Sequence, residues 1–209
     1  MVGKLDACRL YGILDLGYVA RDAVLATAEA LVSGGVDILQ LRAKEHSVDE
    51  VAAMAHQVLA VTRTRGVPLI INDFPEVAEA IGADGVHVGQ DDDSVEAARA
   101  IVGPDCLVGK STHSLDQARK ASTQAVDYIG FGPLFATPTK PDYQAIGLDD
   151  IEEAHRLVQL PIFCIGGVKK ENLASVMARG ARRVVIVSGI LNSADKGTYI
   201  ADCQATLAS

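Results

Sequence analysis

Eight times along this chain a short apolar run gives way to an Ala-rich amphipathic stretch, and few folds accept that rhythm. The runs are RLYGIL from Arg9, VDILQLR from Val36, PLIIND from Pro68 and DGVHV from Asp84, then CLVGKS from Cys106, VDYIGF from Val126, PIFCIGG from Pro161 and RVVIVS from Arg183. Short branched runs almost free of charge suit strands covered on both faces. The stretches between them, such as SVDEVAAMAHQVLAVTRTRG and KKENLASVMARG, carry helical spacing, with a last one from about Ser193. Asp22, Ser47, Asp93, Ser114 and Asp149 read as N-caps, and Gly34, Gly66, Gly103 and Gly180 as C-caps. Strands alternating with helices make parallel βαβ units. Eight of them in 209 residues fit a single-domain (β/α)8 barrel over residues 1–209. An open doubly wound sheet needs fewer strands, and no GxGxxG follows the first one.

Composition narrows the chemistry. The chain is 49% hydrophobic but 4% aromatic, with no Trp, so Ala, Val, Ile and Leu must build the core. A net charge of -8 and a pI near 5.0 oppose a nucleic-acid partner. A local cation cluster still admits a small anion. Neither an N-terminal signal pattern nor a long uninterrupted apolar segment is present, so the expectation is a cytoplasmic protein with no membrane span. Cys8, Cys106, Cys164 and Cys203 are scattered without a CxxC pair, which reads as reduced thiols and no structural zinc.

A barrel of this kind delivers its reactive groups at the C-terminal ends of its strands. Polar residues gather there. Gln40, Arg42 and Lys44 alternate, which on a strand puts them on one face. Asn72-Asp73 end the third run, and HVGQDDD brings Asp91, Asp92 and Asp93 after the fourth. Lys110, Ser111, Thr112 and His113 end the fifth; Thr137, Thr139 and Lys140 follow the Gly132-Pro133 break after the sixth. Gly166-Gly167 and Ser188-Gly189 follow the last two, where this fold usually builds a phosphate cup.

Each group has a plainer explanation. Arg42 and Lys44 could pair with Glu45 or Asp73, and Asp73 and Asp92 could be acids at helix N-termini. His113 suits a scaffold role or proton transfer; His87 reads as packed, and His46, His56 and His155 as surface residues. The plainer explanations miss the combination. Two carboxylates on adjacent strands can share Mg2+, an oxygen-seeking ion that keeps waters for phosphate to replace. With Arg42, Lys44 and Lys140 around it, the ligand that needs both metal and cations is a diphosphate.

QLRAK, IND, HVGQDD, GKSTH, DYIGFGPLFATPTK, IGGV and VIVSGI occur in an order and spacing that resembles the thiamine-phosphate synthase family, from LYGILD to the last helix. The resemblance implies a transferase that joins a hydroxymethylpyrimidine diphosphate to a thiazole phosphate, plain or carboxylated, with release of pyrophosphate. It implies a dissociative course through a pyrimidine-methyl cation. It places the pyrimidine diphosphate on Gln40, Leu41, Arg42, Ala43, Lys44, Asn72, Ser111 and Lys140. The thiazole phosphate falls on Thr137, Pro138, Thr139, Gly167, Val187 and Ser188, magnesium on Asp73 and Asp92. Arg42, Lys44, Lys140 and Ser111 would carry catalysis, with His113 in support. Lys110 and Phe74 depart from the family's usual residues. The rivals are the thiazole tautomerase branch, in which His113 would be central, a non-catalytic phosphate-ligand sensor, and a phosphosugar epimerase or aldolase. A homo-oligomer stays open, as does closure of residues 136–146 as a lid.

Overall fold

The computed structural model describes residues 5–90, 92, 94–137 and 144–208. Its strands are β1 (Leu10–Asp15), β2 (Ile38–Arg42), β3 (Leu69–Asn72), β4 (Gly85–Val88), β5 (Leu107–Thr112), β6 (Tyr128–Phe131), β7 (Ile162–Cys164) and β8 (Val184–Ile186). All neighbours pair in parallel and β8 returns to β1, so the sheet closes as the eightfold rhythm requires. The helices are α1 (Val24–Gly34), α2 (Val48–Arg65), α3 (Pro75–Ile81), α4 (Val95–Val102), α5 (Leu115–Ala121), α6 (Ile151–Leu157), α7 (Lys170–Ala178), α8 (Ser188–Leu191) and α9 (Lys196–Ala208). The four-residue α8 precedes the helix expected from Ser193 and gives no amphipathic repeat to read.

Alternation along each strand sorts the side chains into two cores. Leu39, Leu41, Ile71, Val86, Val108, Ile129, Ile162 and Val184 pack in the larger apolar cluster with the helices. Leu5, Tyr11, Ile38, Ile70, Leu107, Tyr128, Phe163 and Val185 form a second cluster, on the other face of the strands. Tyr11, Tyr128 and Phe163 meet edge to face there, with centroids 5.3–6.0 Å apart. Gly109 makes room for them, since a Cβ on it would lie 2.2 Å from the Tyr128 ring and 2.5 Å from His87 Nδ1.

Ser47 forms a full capping box with Glu50, and Ser114 caps α5 as the sequence suggests. Ser94 caps α4 in place of its neighbour Asp93, which is outside the described residues. Two acids expected as caps do other work. Asp22 sits in a 3-10 turn, Arg21–Ala23, that runs into α1, and Asp149 pairs with Arg179 at 2.6 Å. Tandem positions shift two C-caps by one residue: the left-handed cap of α1 is Gly35, with Gly34 its last helical residue, and Arg179 caps α7 ahead of Gly180.

Candidate active site

The inward positions nearest the C-terminal strand ends are where polar residues replace apolar ones. Beyond Tyr11 and Ile13, β1 presents Asp15; beyond Ile38, β2 presents Gln40 and Arg42. Register sets Ile13 beside Gln40, Asn72 beside His87, and Ser111 beside Gly130. These residues, with His113, Thr137, Gly167, Val187 and Ser188, line one cavity of about 770 Å3, its open mouth included.

Most of the wall is already engaged. Arg42 Nη1 donates to Asp15 Oδ2 at 2.8 Å, so a carboxylate only 3% exposed aims the guanidinium and leaves its other N–H groups for a ligand. Sequence reasoning missed Asp15, expecting Glu45 or Asp73 as the partner; its signal was the period-2 alternation with Tyr11 and Ile13. Asn72 is 6% exposed, and its Nδ2 has no hydrogen-bond partner among the described residues. A buried amide donor without a partner costs about 1–3 kcal/mol, which a ligand acceptor would recover. His87 is more than a packed histidine, since it bonds Ser111 Oγ through Nε2 at 3.0 Å. The His113 ring faces the Gly132 carbonyl through Nδ1, the scaffold contact.

Lys44 corrects the expectation of three polar groups on one strand face. β2 ends at Arg42, and Lys44, two residues on, is not part of the cavity wall. Its ammonium sits 2.9 Å from Asp73 Oδ2 and 3.7 Å from Asp92 Oδ1. Burial works against its charge, but the hydrogen bond and charge of Asp73, with Asp92, hold its pKa above the usual range. Burial pushes the Asp73 carboxyl up, and the hydrogen bond to Asp92 pushes it further, while Lys44 opposes both. Asp73 reaches the pair through a left-handed backbone (φ 66°), and Asp92 is held by the Gly89 amide at 2.8 Å. The two acids thus converge on one cation, the Lys44 ammonium. As a donor set, two carboxylates fit Mg2+. Among the described residues no group of three or more His, Cys, Asp or Glu is placed to hold a metal.

Leu41 and Ala43 are buried at 0% and 1% exposure within the outer core, so their side chains face away from the cavity. Lys110 lies inside β5, 8% exposed, and donates to the Gly89 carbonyl, which accounts for this unusual residue structurally. Pro138, Thr139, Lys140 and Asp91 are outside the described residues. On the opposite wall, Gly166 (φ 93°) and Gly167 (φ 68°) let the chain pass tightly by the β6 loop. A Cβ on Gly166 would lie 2.3 Å from Pro133, and one on Gly167 2.7 Å from the Phe135 Cβ.

A parallel barrel with cations, paired acids and a glycine-lined wall at its C-terminal mouth defines a class: a TIM-barrel enzyme acting on small molecules. Comparison with known proteins specifies it. Residues 10–190 match the family model described as thiamine monophosphate synthase. A thiamine-phosphate synthase from Chloroflexus aurantiacus is 43% identical over 188 residues, 90% of this chain and 87% of that one. One from Thermus thermophilus is 42% identical, covering 83% and 84%. One from Prochlorococcus marinus is 39% identical over 92% of this chain and 55% of its own longer length. The solved thiamine phosphate pyrophosphorylase from Pyrococcus furiosus superposes with a TM-score of 0.87 at 28% identity, covering 99% and 97%. A 3-hexulose-6-phosphate synthase, 19% identical with a TM-score of 0.72 over 95% and 99%, shares the fold alone. The chain belongs to the thiamine-phosphate synthase family, a family of transferases.

Proposed function

We propose that the chain condenses 4-amino-2-methyl-5-hydroxymethylpyrimidine diphosphate with a thiazole phosphate, releasing pyrophosphate and forming thiamine phosphate. The observation that carries this reading is the convergence of Asp73 and Asp92 on the Lys44 ammonium, beside a cavity holding Arg42 and the unpartnered Asn72 amide. Asp73 and Asp92 would hold Mg2+, which when bound would offset diphosphate charge and help it leave. Arg42, fixed by Asp15, points its spare donors at the same phosphates, and Lys44 adds a second charge. Ser111 and Asn72 would meet the pyrimidine diphosphate, with Gln40 against its ring. Lys140 would meet the diphosphate, and Thr137, Pro138 and Thr139 the thiazole phosphate. Gly167, Val187 and Ser188 would receive the acceptor phosphate through backbone N–H groups.

The chemistry asked of the protein is leaving-group stabilisation and the holding of two rings in line. No side-chain nucleophile is required. The purified chain, given both substrates and Mg2+, should yield pyrophosphate and thiamine phosphate in equal amounts. Product that appears unchanged with EDTA would overturn the metal assignment, and none under any condition would overturn the reaction. His113→Ala separates the tautomerase rival, because complete loss of synthase turnover would contradict a supporting role.

A further inference from the structure

Five side chains from five strands form one unbroken line of hydrogen bonds across the barrel. Gln40 Nε2 meets the Tyr11 hydroxyl at 2.8 Å, and the Tyr11 hydroxyl meets that of Tyr128 at 3.1 Å. The Tyr128 hydroxyl meets His87 Nδ1 at 3.2 Å, and His87 Nε2 meets Ser111 Oγ at 3.0 Å. Gln40, Tyr11 and Tyr128 are 3%, 2% and 1% exposed, so water has little access to that part of the line. Burial raises both phenol pKa values, and both keep their protons at neutral pH. Both ends of the line, Gln40 and Ser111, reach the cavity, as does His87, while Tyr11 and Tyr128 are buried behind them.

A phenol has one hydrogen to give. With a neutral imidazole and one hydrogen in each of the four bonds, only two proton orders exist, and they run in opposite directions. In the first, Gln40 donates to Tyr11, Tyr11 to Tyr128 and Tyr128 to His87 Nδ1, and His87 Nε2–H donates to Ser111. Gln40 then keeps its carbonyl and its second N–H for the cavity, and the Ser111 hydroxyl hydrogen is released to the ligand. In the second, the amide is turned over, Gln40 offers only N–H groups, and Ser111 spends its hydrogen on His87.

We infer that Tyr11, Tyr128 and His87 are positioning residues, wired in the first order, that lock Gln40 and Ser111 to read an aminopyrimidine carrying an anionic arm. An exocyclic amino group beside a ring nitrogen offers one donor and one acceptor, which an amide pairs only when its carbonyl faces the amino group. An anionic arm needs a hydroxyl hydrogen, which only the first order leaves on Ser111. The turned-over amide offers only N–H groups, which can meet the oxygen of a 4-oxo pyrimidine but leave a 4-amino group without an acceptor, so the line sets specificity. This inference rests on the reading of the cavity as a pyrimidine diphosphate site.

Two measurements test it. Nitrogen-15 NMR of the ligand-free protein, with the His87 ring assigned through His87→Gln, should show the Nε2-protonated neutral tautomer. Tyr11→Phe, which removes one hydroxyl and little volume, should disturb that tautomer although it touches neither His87 nor Ser111. An Nδ1-protonated or charged ring would overturn the proton order, whatever the protein's activity. In turnover, the ratio of kcat/KM for the 4-amino over the 4-oxo pyrimidine diphosphate should fall about tenfold or more in Tyr11→Phe and in Tyr128→Phe, the scale of one bidentate amide contact. An unchanged ratio in two folded variants would overturn the specificity role. A wild-type chain with no synthase activity would sink the functional reading while leaving the NMR result to stand.

Discussion

Asp73 shows how a single residue can be kept against its own stability. It is held above the ordinary carboxylate range by burial and by Asp92, with only Lys44 opposing. A raised acid binds its proton more tightly in the folded chain, so stability falls as pH rises through its folded pKa. Asp73→Asn deletes that cost and places a residue that tolerates positive φ at φ 66°. The variant should lose Mg2+-dependent synthesis at least 100-fold, the scale of one preorganised charge contact. Its Tm should match or exceed that of the wild type at pH 7, and the gap should shrink towards pH 3. A variant less stable at neutral pH would contradict the electrostatic account. At this scale the sequence was legible in part. Residue type and strand-end position found Gln40, Arg42, Asn72, Asp73 and Asp92. Asp15 escaped because a strand-end acid after an apolar run looks like solvent exposure. Lys44 lies beyond the strand, where alternation no longer sets its direction, and it pairs with Asp73 and Asp92.

At the scale of elements, punctuation was more readable than reach. Ser47 and Ser114 announce α2 and α5 because a hydroxyl before a helical repeat has one dominant use. The inner packing was hidden, because which glycine admits which ring depends on strands distant in sequence. Gly109 on β5 is the clearest instance, as it yields space to Tyr128 of β6 and to His87 of β4. Gly109→Ala should therefore cost about 1–3 kcal/mol in urea unfolding, as overpacked core positions do. It should also weaken pyrimidine diphosphate binding, since the displaced rings support Gln40 and Ser111. A fully stable variant with unchanged KM would show that the rings have somewhere else to go.

The whole molecule divides its labour between two faces. The cavity occupies the C-terminal mouth, while Leu5 joins Ile38, Ile70, Leu107 and Phe163 near the strand beginnings, with 0% exposure. Leu5→Ala should cost about 2–5 kcal/mol, the usual range for a truncated core leucine, and leave kcat/KM unchanged at temperatures where the variant stays folded. A catalytic defect with no loss of Tm would reverse the assignment. The closed barrel was legible because the eight repeats leave almost no other arrangement. The plug at its base was not, since LDAC before the first strand carries no period to interpret.

That base has a practical meaning. Arg9, at the start of β1, reaches the carbonyl of Leu207 near the end of α9, while Arg183 Nε donates to the carbonyl of Leu5 at 3.4 Å. The segments at Leu5 and Leu207 are therefore both fastened at the face where the strands begin, opposite the cavity. Cargo appended to either one, whether a tether, a tag or a second enzyme, would hang clear of the entrance. The folded body could then be held to a support beside Leu5 or Leu207 with its mouth still facing the solution.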